Sequence, residues 1–227
     1  CGNPPPNNFA KHYQAGCLSF ELISNRQKVI CNTGYGKYLS TKLAEISRST
    51  ASHSTLYLND TSSCIFQKNK FINKIYENSL VHKHKIIEKN YKEHDNFYSL
   101  MASHNGYERK FGYIHTRTIK VSKKKDIIYG QDKLKKIKHI LNPVKYFIRF
   151  HIYPGIKIVK TKSGNSIIVS LSNGDGWLLN SKTNKFKIEK NIFLGNKNKI
   201  INNESIVISD NLNKEITLMD WTIERIN

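Results

Sequence analysis

His53 stands among small hydroxyl residues in RSTASHSTLYLND (48–60), directly before a run in which Leu56 and Leu58 alternate with Thr55, Tyr57 and Asn59. That alternation has the period of a half-buried strand, so the imidazole falls at a strand's mouth. There it can either ligate a metal together with groups from HYQAGCLSFEL (12–22) and VICNTG (29–34), or cap the turn by hydrogen bonding to its neighbours. A second candidate is HNGYERKFGYIHTR (104–117), in which His115 and Arg117 lie two apart and share one strand face. Such a pair suits a carboxylate or sulfate; the competing reading is a solvated face with Arg117 in a structural ion pair. Arg149 and His151 repeat the spacing in IRFHIYP (148–154), where Ile148, Phe150 and Ile152 supply an alternating core stripe and favour a structural role. No nucleophile elbow, phosphate-binding Gly loop or HExxH motif occurs.

The elements that must position these residues read as strand after strand. Candidate strands are 17–24, 28–32, 55–60, 80–88, 97–103, 113–122, 127–132, 146–153, 156–160, 166–171, 176–180, 185–189, 205–209 and 216–223. Turn-forming clusters separate them, among them SNR at 24–26, SHNG at 103–106 and SNGDG at 172–176. Only residues 37–46 read as a short helix. Many short strands at even spacing describe an all-β, large antiparallel sandwich occupying residues 1–227 as one domain. Four cysteines, at 1, 17, 31 and 64, have no metal-site spacing. A hairpin about Asn25-Arg26 would point Cys17 and Cys31 to opposite faces, so no disulfide between them is expected.

Composition narrows the partners. The net charge of +20 suggests a polyanion, yet thirty-one Lys stand against six Arg, and nucleic-acid readers favour Arg forks. The Lys excess travels with abundant Ile and Asn, a bias of composition as much as of binding, and the expectation is no nucleic-acid partner. No apolar stretch reaches the ~18 residues of a membrane span. The chain opens on Cys1 with CGNPPPNN, shows no signal peptide, and reads as a soluble piece of a longer protein that starts slightly inside its domain.

Seven segments in order carry a resemblance: HYQAGCLSFEL, VICNTG, RSTASHSTLYLNDTSS, GYERKFGYIHTRTIKVS with GQDKL, IRFHIYPGIKI, NGDGWLL, and VIS with MDWTIER. Together they resemble the C-terminal domain of heparinase II/III-like polysaccharide lyases. The resemblance implies a supersandwich-like β-sandwich that packs against an N-terminal α/α toroid, absent from this sequence. It implies bacterial enzymes of the periplasm or cell envelope that cleave uronate polysaccharides by β-elimination, with the proton-transfer groups drawn largely from the toroid. It also implies a zinc site made by a His before the LSF strand, an Asp before the Gly that ends the next strand, and a His matching His53. Gln14 and Asn32 stand at the first two positions, and neither amide is a good zinc ligand. His12 would replace Gln14 only if its loop shifted. The favoured expectation is a metal-free polar cluster of Gln14, Asn32 and His53 that shapes a substrate cleft or holds the hairpin. An anionic polysaccharide is then expected to meet these residues together with His115 and Arg117.

Overall fold

The computed structural model describes residues 2–69, 71–72, 79–140, 142–197 and 199–226. The first half of the chain forms β1 (Leu22–Ser24), β2 (Gln27–Cys31), α1 (Thr41–Arg48), β3 (Leu56–Leu58), β4 (Ile65–Phe66), β5 (Leu80–His82), β6 (Ile86–Glu93), β7 (Phe97–Tyr107), α2 (Glu108–Phe111), β8 (Tyr113–Ser122) and β9 (Ile127–Lys136). The second half forms β10 (Lys145–Ile152), β11 (Lys157–Lys160), β12 (Ser166–Ser170), β13 (Gly176–Asn180), β14 (Phe186–Phe193), β15 (Ile201–Asn211) and β16 (Ile216–Arg225). No helix among the described residues is long and apolar enough to cross a membrane.

Local chemistry accounts for the boundaries. Asn25 and Arg26 both take positive φ (45° and 66°), the conformation a two-residue type I′ hairpin needs, and Ser24 pairs with Gln27 across it. The strand before that turn is shorter than the alternation suggests. Leu18 lies at φ 59° and Ser19 bonds back to the Gly16 carbonyl through both its N–H and its hydroxyl, so extended pairing begins only at Leu22. The expected helix starts late because Ser40 caps it, its hydroxyl accepting the Leu43 N–H at 3.1 Å. Residues 80–88 divide into β5, paired with β4, and β6, on the edge of a larger sheet.

Two antiparallel sheets make the sandwich. Eight strands run in the order β11-β12-β13-β16-β9-β8-β7-β6, and six in the order β1-β2-β10-β15-β14 with β3 also on β10. One flank of β10 is shared: β3 covers Tyr146–Ile148 and β2 covers His151 and Ile152. Between them, residues 54 and 55 keep the edge closed, Thr55 accepting the Arg149 N–H and the Ser54 hydroxyl accepting the His151 N–H. His53 is thereby held at the seam between two strands.

The sheets meet through aromatics. Trp221 of β16 stacks on Phe20 at 5.5 Å and receives the edge of Phe150 of β10 at 5.1 Å, a tilted arrangement that the ring quadrupoles favour. Gly130 makes the room, since a Cβ there would lie 2.1 Å from the Trp221 ring. The larger sheet also outreaches its partner. Register places Tyr91, Leu100, Ile119, Gly130 and Trp221 in one row on the inner face, yet Tyr91 is 57% and Leu100 51% exposed while Trp221 is buried. With Leu18 and Phe20 these outer residues border an apolar trough of about 450 Å³.

Gly130→Ala is expected to destabilise the chain by about 1–3 kcal/mol, because the methyl must displace a ring packed from both sheets. The urea midpoint should fall with little change in slope; an unchanged midpoint would show that Trp221 moves freely.

Candidate functional site

His53 is buried between α1 and β3 in an extended conformation. Its Nδ1 lies 2.8 Å from the Ser49 carbonyl, which can only accept, so the ring proton sits on Nδ1. Nε2 is then a lone pair, and the Gln14 side-chain amide lies 3.1 Å from it. The pair is satisfied when the amide turns its N–H toward the ring. Burial lowers the His53 pKa, consistent with a neutral ring. Gly16 lies flat on this imidazole; a Cβ there would come within 2.4 Å of Cδ2.

Asn32 is a neighbour and not a partner of the ring. Its Oδ1 accepts the Ser54 N–H at 3.0 Å and its Nδ2 donates to Glu21 at 3.3 Å, so it ties β2 to the residue after His53. His12 points elsewhere, its Nδ1 lying 3.1 Å from the Tyr35 hydroxyl at an exposed position. The donors around His53 are therefore one imidazole and two amides, and among the described residues no three His, Cys, Asp or Glu side chains gather as a metal site. That set does not fit zinc, which prefers thiolate, imidazole and carboxylate. With both ring nitrogens engaged, His53 is not placed to take a proton from a substrate either.

His115 and Arg117 do share a face, but that face is the interior. The expectation of a free cationic pair is corrected here: His115 is 0% and Arg117 3% exposed, and both are committed to Asp132. Arg117 grips it with Nε–Oδ1 at 2.8 Å and Nη2–Oδ2 at 2.9 Å, the bidentate fork of a guanidinium on a carboxylate. His115 Nε2 donates to Oδ1 at 2.7 Å and Trp221 Nε1 to Oδ2 at 3.0 Å. Behind His115, the proton positions propagate. Gly106 N–H donates to His104 Nδ1, so His104 carries its proton on Nε2 and donates to His115 Nδ1 at 3.1 Å. Burial lowers the pKa of both rings, most strongly for His104. Burial works against ionisation of Asp132, but the Arg117 charge and the His115 hydrogen bond outweigh it and hold the carboxyl far below its usual range.

Arg117 reaches the His53 region through its remaining nitrogen. Nη1 donates to the carbonyls of Leu18 (3.0 Å) and Ser54 (2.9 Å), joining the segment that follows Gln14 to the residue that follows His53. Asp132, Trp221 and His104 are the members that sequence reasoning did not single out; the signal was present in register, since Arg117 and Asp132 pair directly across β8 and β9. The third candidate pair is structural as well. Arg149 bonds the Tyr57 hydroxyl, Ser205 and Glu189, while His151 donates from Nε2 to the Ala51 carbonyl at 2.9 Å. Cys17, Cys31 and Cys64 are free, buried thiols, and burial pushes the first two up to about 12.

The fold is an antiparallel two-sheet β-sandwich, and comparison gives its family. The family model for the heparinase II/III-like C-terminal domain matches residues 1–222, and the chain belongs to that family. Among solved structures it is similar in fold to heparan sulfate lyase HepC from Pedobacter heparinus (TM-score 0.73, 15% identity, 93% of this chain and 30% of that one). It is likewise similar to a structure described as heparinase III (TM-score 0.65, 14% identity, 94% and 30%). A comparison with curated protein sequences finds no match. The chain thus spans about 30% of the length of these structures.

Two outcomes follow for the buried core. Asp132→Asn leaves Arg117 buried without its counter-charge and is expected to cost about 3–5 kcal/mol in denaturant unfolding; Arg117→Lys keeps the charge but loses the fork and should also lower the melting temperature. A variant of either kind with wild-type stability would contradict the geometry.

Acid should act through the same groups. His53, His104, His115 and His151 all have folded pKa values below the unfolded one, that of His151 falling to about 3 through burial. Below the unfolded value of about 6.5 the unfolded chain binds protons that the folded chain does not. Stability is therefore expected to be fully present above that pH and to decline from about pH 6.5 downward, with Asp132 adding a further loss below about pH 4. Urea midpoints from pH 8 to pH 5 that do not move would show that these rings are protonated in the fold.

Proposed function

We propose that this chain is the sandwich part of a polysaccharide lyase that cleaves a uronate-containing anionic polysaccharide by β-elimination, working with an N-terminal α/α toroid of the same protein. The observation that carries the reading is the family match over residues 1–222, joined to a chain that spans about 30% of lyases of the same fold. β-Elimination needs stabilisation of charge developing on the uronate carboxylate, a base for the C5 proton and an acid for the departing oxygen. Both nitrogens of His53 are engaged, which supports assigning proton transfer in this proposal to groups of the toroid. The role left for Gln14, Asn32 and His53 is to fix the shape of the surface that meets the substrate. The proposed site is metal-free, the partner is glycan and not nucleic acid, and the place of action is the periplasm or cell envelope of a bacterium.

One observation favours a second reading, a noncatalytic glycan-binding or structural module: Gln14 and Asn32 are each hydrogen-bonded within the protein. The two separate on the longer protein. On the first reading it raises the ultraviolet absorbance of unsaturated product from at least one uronate polymer, while the isolated chain, dialysed and free of stoichiometric zinc by elemental analysis, does not. Turnover by the isolated chain, or one tightly held metal per chain, would overturn the assignment of roles; a longer protein that binds every polymer and cleaves none would establish the module.

A further inference from the structure

We propose that a groove bordered by the turn at Ser63 is a binding site for the sulfate or carboxylate groups of a sugar polymer. It lies between residues 61–63, β5 and α2, encloses about 770 Å³, and carries Lys83, Arg109, Lys110 and Lys138 against a single carboxylate, Glu108.

That carboxylate is already engaged. Lys138 Nζ donates to it at 3.1 Å and Asn105 Nδ2 at 3.2 Å, and these contacts, that from Lys138 first, hold the Glu108 pKa below its usual value. Among the described residues no carboxylate lies within ion-pair reach of Lys83, Arg109 or Lys110. Three cations thus face one concavity without internal neutralisation. Two of them are held in place. Lys110 Nζ donates to Thr61 Oγ1 at 2.9 Å, and Arg109 Nη1 donates to His82 Nδ1 at 3.1 Å, which sets the proton of that ring on Nε2 as a further donor. A guanidinium anchored by one nitrogen keeps its other N–H groups for the paired oxygens of a sulfate or carboxylate.

The wall between the cations is uncharged and mixed, exposed Ile65 and Val81 beside Ser62, Ser63 and Asn105, which suits a sugar ring's apolar face together with its hydroxyls. Ser62 accepts the Thr50 N–H at 3.0 Å and so retains its own O–H as a donor. Ser63, on the same turn, bonds Thr50 and the Ala15 carbonyl, one residue from Gln14, so one turn borders both the groove and the His53 cluster. Close packing keeps the groove formed: at Gly106 a Cβ would lie 2.6 Å from the Ser63 carbonyl, so the end of β7 rests closely on residue 63.

The inference rests on the glycan reading above but not on catalysis. Its test is calorimetric titration of the 227-residue chain with a heparin-derived hexasaccharide, an unsulfated uronate hexasaccharide, and a single-stranded DNA oligonucleotide of matched charge. The combined Lys83→Gln, Arg109→Gln, Lys110→Gln variant should bind the hexasaccharides about tenfold or more weakly, and Arg109→Lys should lose a smaller part. A variant with Lys157, Lys160 and Lys162 changed to Gln, equally reduced in charge, should bind like the wild type. Binding of only the sulfated ligand names sulfate as the recognised group, and binding of both names the carboxylate. Equal loss in the two triple variants, no binding by the wild type, or DNA binding that depends on the groove as strongly as glycan binding would each overturn the proposal. Groove-dependent binding in a longer protein without lyase activity would leave the site standing and remove the enzyme reading alone.

Discussion

The Asp132 carboxylate is fully buried, and the side chains around it are arranged to make that tolerable. An isolated charge in such a place would neutralise itself or unfold the chain. Four N–H donors from three side chains meet its two oxygens instead, and the guanidinium among them brings the compensating charge. Those side chains come from β8 and β16, the strands on either side of β9. Because Arg117 also reaches the Leu18 and Ser54 carbonyls, the pair binds the larger sheet to backbone that the smaller sheet holds. Burial of one carboxylate therefore fixes how the two sheets sit beneath the turn that carries His53.

This explains why the fold was more legible in the sequence than the site. Alternation over residues 113–122 assigned His115 and Arg117 to one face correctly, but period alone does not say whether a face meets water or another sheet. Charged side chains favour the first answer, and here the second holds because Asp132 pairs with Arg117 across the strands. The Asn25-Arg26 hairpin was legible because two-residue turns demand positive φ and the flanking alternation fixes register. The short strand at Leu22 was not, since the left-handed backbone at Leu18 leaves no trace in hydropathy. The overhang of Tyr91 and Leu100 was equally hidden, being set by the unequal widths of two sheets and not by either strand's own pattern.

At His53 the sequence carried the right neighbours and left their roles open. Gln14 and Asn32 were identifiable as amides standing where better ligands would be expected; that Gln14 faces the ring while Asn32 faces the Ser54 backbone depends on the paths of two separate segments. The outcome is a chemically quiet cluster. The two ring nitrogens of His53 are matched by the Ser49 carbonyl and the Gln14 amide, and burial lowers the pKa of the ring.

Arginine usage gives the basic surface a finer grain than its net charge. In a chain with thirty-one Lys, several of the six Arg mark places where a planar fork does something an ammonium cannot. Arg48 donates to two backbone carbonyls beside the Phe66 ring, Arg117 holds Asp132, Arg149 joins Tyr57 to Glu189, and Arg225 bridges Asp126 and Asp175. Arg26 occupies the hairpin turn. Arg109 alone places its fork at a concave surface with no carboxylate in ion-pair reach among the described residues, steadied only by a histidine nitrogen. Scattered lysines explain most of this charge as a solvated surface; Arg109 differs from them in having one nitrogen fixed on a histidine while the rest of its fork faces a groove.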